Sequence, residues 1–147
     1  LTGAFLCSKY FGFEISKNQN GGTIINVSSD LGLISPDQRL YKKEGVPEDQ
    51  QNVKPITYSV IKSGLIGLTR YLSTYWADKN VRCNAICPGG VFNNQNEEFL
   101  NKLNQLIPLG RMADHDEYKG IIVFLASEAS SYMNGSIISI DGGRTSW

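Results

Sequence analysis

Thr57-Tyr58-Ser59-Val60-Ile61-Lys62 opens a run to about Asp78 in which Ile61, Leu65, Leu68, Leu72 and Tyr75 recur at three- and four-residue steps. That spacing predicts one long amphipathic helix. Upstream, beyond a polar stretch, Thr23-Ile24-Ile25-Asn26-Val27 is short and β-branched, with Gly21-Gly22 before it and Ser28-Ser29 after it, and reads as a buried strand. Downstream, Val81-Arg82-Cys83-Asn84-Ala85-Ile86-Cys87 reads the same way and stops at Pro88-Gly89-Gly90. A strand, a long helix and a strand in succession form a crossover unit, so an α/β fold with a parallel sheet and a right-handed connection is expected. Ligands of such open sheets bind beyond the carboxyl ends of the strands. Ser28-Ser29 and Pro88-Gly89 both fall there.

The remaining elements extend this unit. Residues 2 to about 17 space Ala4, Phe5, Tyr10, Phe11 and Ile15 as a helix, closed by Asn18-Gln19-Asn20 and the glycines. Phe99, Leu103 and Leu106 suggest a short amphipathic helix within 93–106. Asp114 followed three residues later by Glu117 reads as a capping box starting a helix that runs to about Ser127. Ser136-Ile137-Ile138-Ser139-Ile140 is the last expected strand, closed by Asp141-Gly142-Gly143. Between Asp30 and Pro55 the texture turns polar and charged, which reads as a long functional loop. Gly64 and Gly67 lower the propensity of the long helix and predict close packing there.

Composition narrows the function classes. The 147 residues suit one domain, and 14 basic against 14 acidic side chains give no net field that would draw nucleic acid or an acidic membrane. Cys7, Cys83 and Cys87 form neither a disulfide framework nor a metal set, the single His115 sits in a helix's first turn, and reduced core thiols of a cytoplasmic protein are expected. No run approaches the length of a membrane span. The chain opens with Leu1 inside a helix, so a fragment of a longer protein is expected.

Chemistry converges on three side chains. Tyr58 and Lys62, four residues apart, project from one helix face and reach one object. A phenol exchanges protons poorly at neutral pH, and a neighbouring ammonium favours the phenolate. Ser29, at the carboxyl end of the first strand, is placed to polarise a carbonyl or hydroxyl. Carbonyl–alcohol redox chemistry needs these groups, and its hydride must come from a cofactor.

At this point the sequence resembles the short-chain dehydrogenase/reductase family, from Leu1 to about Gly143. Gly21-Gly22-Thr23-Ile24-Ile25-Asn26-Val27-Ser28-Ser29 is similar to the family's fifth strand with its catalytic serine, Tyr58-x-x-x-Lys62 to its active-site pair, and Val81 to Gly89 to its sixth strand and the loop under the nicotinamide. Leu109-Gly110-Arg111, Phe124-Leu125-Ala126-Ser127 and Asp141-Gly142-Gly143 resemble its closing elements. The resemblance implies the carboxyl-terminal half of a Rossmann-like doubly wound domain with NAD or NADP as cofactor. Ser29, Tyr58 and Lys62 would be catalytic, and Tyr58, Lys62, Pro88, Gly89, Val91 and Asn93 would bind the cofactor, with the Val91 backbone at the carboxamide. It also implies pairing of the helices at 1–17 and 57–78 in homodimers or homotetramers of the full-length protein.

The departures are as informative. The family's glycine-rich turn and its catalytic Asn belong to an amino-terminal half absent from this sequence, so these 147 residues alone are expected to be inactive. Asn93 stands where many members carry Thr. Positions 30 to 57, 28 residues, separate Ser29 from Tyr58, more than twice the usual family gap. That excess, with Ser35-Pro36-Asp37-x-Arg39-x-Tyr41 and the run from Gly89 to Phe99, is similar to bacterial oxidoreductases of surface-carbohydrate synthesis and flagellin modification. Arg39, Lys42 and Lys43 in the excursion then suggest a lid gripping a sugar phosphate or nucleotide sugar. Two alternatives stay open: a non-catalytic dinucleotide-binding regulator of the same fold, and a nucleotide-sugar epimerase or dehydratase, against which the short tail after Gly143 argues.

Overall fold

A computed structural model describes residues 1–147. Three parallel strands, β1 (Gly22–Val27), β2 (Val81–Pro88) and β3 (Ile137–Ile140), form one sheet in that order. Four helices accompany them: α1 (Thr2–Ile15), α2 (Ile56–Tyr75), α3 (Glu97–Asn104) and α4 (Lys119–Ala126). The expected crossover is present, with α2 joining β1 to the neighbouring β2 in register Ile24 to Cys83.

Helices cover both faces, because successive strand residues point to opposite sides. On one face Ile24, Val81 and Cys83 pack with Ile15 of α1, Leu68 and Leu72 of α2 and Trp76 just beyond its end. On the other, Thr23 Oγ1 and the Arg82 guanidinium donate to the Leu125 carbonyl of α4. The sheet is therefore wound on both sides, the Rossmann-like arrangement. Its centre is β2, where Cys83, Asn84, Ala85 and Cys87 are fully buried. The Asn84 side chain accepts from the Ser136 N–H and donates to the Met133 carbonyl, fastening the approach to β3.

Strand entries are fixed by a close approach. The Gly22 N–H donates to the Asn80 carbonyl (3.2 Å), which brings the two turns feeding β1 and β2 against each other. Gly21 has φ +66 there, and a Cβ would run into the Asn80 carbonyl, so only glycine fits.

Several expectations are corrected. α1 turns Ser8 and Gly12 inward, while Phe5, Tyr10, Phe11 and Phe13 stay exposed. A Cβ at Gly12 would strike the Trp76 ring, so close packing selects the small side of this helix. A Cβ at Gly64 would meet Leu1, but one at Gly67 would meet no packed neighbour. Cys83 and Cys87 are buried as expected, whereas Cys7 is exposed. The Asp114–Glu117 segment is a turn that ends before α4 begins at Lys119. Glu117 does accept from the Asp114 N–H as a capping box requires, but its carboxylate also takes both terminal nitrogens of Arg111. The excursion after β1 is not a featureless loop, since Asp30–Gly32, Gln38–Leu40 and Glu48–Gln50 form 3-10 turns and Leu40 is buried against Leu103, Ile107 and Met112. No helix is long and apolar enough to cross a membrane.

Candidate active site

Ser29 follows the end of β1 and caps the turn Asp30–Gly32. Its hydroxyl accepts from the Leu31 N–H (3.2 Å) and donates to Asp30 Oδ1 (2.8 Å). The turn is stitched to α2 by two further bonds: Ser28 Oγ donates to the Lys62 carbonyl (2.8 Å), and Ser63 Oγ to the Gly32 carbonyl (3.1 Å). Gly32 permits this contact, for a Cβ there would lie 2.6 Å from Ser28 Oγ and 3.1 Å from the Lys62 carbonyl. The residues that carry the hydroxyl, the phenol and the amine are thus held together by backbone-level contacts.

Ser29 and Tyr58 line one cavity of about 350 Å³ beyond the carboxyl ends of β1 and β2. Pro88, Gly89 and Val91 form another wall. The Tyr118 hydroxyl donates to the Gly89 carbonyl (3.0 Å) and fixes that wall, and burial pushes its pKa above the usual phenol value. Val91 is held through a parallel bridge to Ala113, and its carbonyl accepts from Gln95 Nε2 (3.0 Å).

Two sequence-derived candidates stand apart from the cavity lining. The Lys62 ammonium donates to the Val27 carbonyl (3.1 Å) and lies 5.7 Å from the Tyr58 ring centroid, beside the phenol rather than in the cavity wall. Asn93 is exposed, with its N–H donating to Gln95 Oε1, and Gln95 lines the cavity instead.

The cations expected to grip substrate are also corrected. Arg39 is 84% exposed and chelates Asp37, Lys42 pairs with Glu48, and neither they nor Lys43 line the cavity. Asp37 and Glu48, in the same excursion, capture Arg39 and Lys42 before they can reach inward. Four residues that sequence reasoning passed over do reach it: Asp30, Tyr41, Lys54 and Arg144. Lys54 Nζ sits 4.0 Å from the Tyr58 ring centroid. Tyr41 stacks obliquely on Phe99 of α3, and its pKa is raised by burial. The apolar pair Leu40-Tyr41 inside a charged stretch was the available signal that the excursion turns inward.

A parallel sheet wound on both faces, with a serine, a tyrosine and a glycine-bearing wall around one cavity at the strand ends, defines a Rossmann-like protein of the dinucleotide-binding kind. Residues 1–145 match the family described as enoyl-(acyl carrier protein) reductase, and the chain belongs to the short-chain dehydrogenase/reductase family. An uncharacterized oxidoreductase of Thermotoga maritima is 39% identical over 97% of this chain and 54% of its own. A short chain dehydrogenase from Leptospira borgpetersenii with bound NAD+ superposes with a TM-score of 0.88 at 35% identity, over 99% of this chain and 53% of that one. A gluconate 5-dehydrogenase from Burkholderia cenocepacia in complex with NADP and tartrate gives a TM-score of 0.84 at 25% identity, over 100% of this chain and 53% of that one. The chain spans about half the length of the curated relatives it matches.

Proposed function

We propose that the protein carrying this chain is an NAD- or NADP-dependent oxidoreductase that interconverts a carbonyl and an alcohol on a small anionic sugar derivative. The observation that carries this reading is the shared cavity of Ser29 and Tyr58, held in register by the Ser28 to Lys62 contact. The cavity fits the nicotinamide end of a dinucleotide, since Pro88, Gly89 and Val91 present a wall with little side chain at its centre. A nicotinamide cofactor supplies or accepts the hydride when bound, chemistry that no side chain provides.

The chain's own groups handle the substrate oxygen. The Ser29 hydroxyl, whose proton can rotate away from Asp30, donates to that oxygen and holds it. Tyr58 gives its proton to the oxygen in reduction and recovers it in oxidation. Lys62 sets its ammonium 5.7 Å from the centroid of the phenol ring, and it would hold the ribose of a bound cofactor. The anionic character of the substrate is supported by Lys54 at the cavity and by the tartrate bound in the gluconate 5-dehydrogenase.

The sequence fits best as the carboxyl-terminal part of a larger sheet. β1 is an edge strand, and a groove of about 390 Å³ runs beside it, lined by Phe11, Ile15, Ile24 and Leu65 among others. Exposed Phe5, Tyr10 and Phe11 on α1 and Tyr71 and Tyr75 on α2 support a homo-oligomer of the whole protein.

Tyr58→Phe in the full-length protein tests the reading. Turnover should fall by about 10²–10⁴-fold, the usual contribution of a positioned acid–base group, while NAD(P) affinity is retained. Wild-type turnover in that variant overturns the assignment, and dinucleotide binding with no turnover of any carbonyl or alcohol in the parent favours the regulator.

A further inference from the structure

Two arginines in this chain are buried in different ways. Arg82 is half-buried, and its guanidinium is capped by three backbone carbonyls, those of Met133, Leu125 and Ser127. Such a group is spent on structure. Arg144 is deeper, only 8% exposed, yet its guanidinium makes a single bond within the chain, from Nη1 to Asp30 Oδ2 (2.7 Å). Nε and Nη2 donate to nothing, and neither is among the fully enclosed unpartnered atoms of the protein. The residue lines the cavity of Ser29 and Tyr58.

Asp30 does not cancel this site. Its carboxylate is 3% exposed and already accepts from the Leu31 N–H (2.7 Å), the Ser29 hydroxyl and Arg144. The charged groups facing the cavity are Asp30, Arg144 and Lys54, which leaves an excess of one positive charge. A largely buried guanidinium with two unpartnered nitrogens, at the edge of a net-positive cavity, suits a carboxylate.

We propose that Arg144, held by Asp30, anchors the carboxylate of the substrate and so makes the protein specific for small hydroxy or oxo acids. One carboxylate, that of Asp30, bridges Arg144 to the Ser29 hydroxyl. The anion of the ligand is therefore held a few bonds from the carbon whose oxygen Ser29 grips. That spacing suits a short polyhydroxy acid and not the distant phosphates of a nucleotide sugar. The inference rests on the proposed redox reading for the identity of the reacting carbon, but not for the anion site itself.

The test is direct binding of tartrate and gluconate, with sorbitol as the uncharged probe, to the full-length protein by titration calorimetry. Arg144→Lys keeps the charge and loses the fork. The double variant Asp30→Asn/Arg144→Gln removes both charges together, which preserves folding better than breaking the pair. Each folded variant should bind the two acids at least tenfold more weakly, about 1.4 kcal/mol, and the parent should bind sorbitol more weakly than either acid. Unchanged acid affinity in both variants overturns the anchor. Tyr58→Phe separates the two proposals: it should lose turnover and keep tartrate affinity. Arg144-dependent tartrate binding in a parent that turns nothing over sustains the anchor and sinks the redox reading alone.

Discussion

Two stretches leave the carboxyl end of β1 in succession, and they are built in opposite ways. Ser28, Ser29, Asp30 and Leu31 are buried, and bonds from this turn run across the fold, from Ser28 to Lys62 of α2, from Asp30 to Arg144 near the chain's end, and from the next residue, Gly32, to Ser63 of α2. Leu33 to Pro55 is closed mainly by its own neighbours: Arg39 with Asp37, Lys42 with Glu48, Gln51 with Lys43 and Val46, and Gln38 with Lys54. It meets the rest of the protein chiefly through buried Leu40, the Tyr41–Phe99 contact and a bond from Lys102 to the Lys42 carbonyl. The difference separates two tasks. The groups to which the proposed reaction assigns the proton path are fixed by long-range contacts, while the outer segment is a module folded on itself.

The strongest blow to the first stretch is Asp30→Ala. It leaves the Arg144 guanidinium buried without its counter-ion, a change that typically costs about 3–5 kcal/mol, and calorimetric unfolding of the full-length protein should show it. A loss below about 1 kcal/mol would mean the pair is not held as buried charge. Gly32→Ala is milder and acts on geometry. The added Cβ, wedged against Ser28 Oγ and the Lys62 carbonyl, forces apart the turn carrying Ser29 and the helix carrying Tyr58. A loss of about 1–3 kcal/mol is expected from such overpacking. In denaturant titration and steady-state kinetics, stability and kcat should fall together; unchanged kcat would break the claimed link between the joint and the chemistry.

Much of this contrast was visible in the sequence, but unevenly. Short β-branched and apolar runs placed β1 and β2 to within a residue, and the helical stripe placed the start of α2, whose end falls at Tyr75 and not at Asp78, because packing of Ile24, Leu72 and Cys83 on one face dictates both pattern and fold. The candidate acid–base residues were legible from the four-residue step of Tyr58 and Lys62 and from a hydroxyl at a strand end. Residues whose meaning depends on contacts across the chain were not. Arg144 lies 114 positions from Asp30, and no local pattern pairs them. Lys54 looked like one more solvated charge until Gln38 clasped its backbone N–H and carbonyl. Arg39 and Lys42 fail as cavity residues for the converse reason, since local carboxylates outcompete a distant cavity for exposed, flexible side chains.

That failure yields the smallest predicted effect and the sharpest check on the modular view. Arg39 and Lys42 make their ion pairs at the surface, where Coulomb attraction is screened and side-chain ordering offsets most of the gain. Their partners Asp37 and Glu48 belong to the same excursion, so removing the pairs leaves Leu40, Tyr41 and the Gln38 clasp on Lys54 untouched. Arg39→Ala/Lys42→Ala in the full-length protein should therefore unfold at the parental midpoint and keep the parental KM for whichever probe acid the parent turns over. A clear rise in that KM would show that the outer cations reach the substrate when the excursion moves. The boundary drawn between a fixed inner turn and a self-contained outer module would then have to be redrawn, with Arg39 and Lys42 on the substrate side.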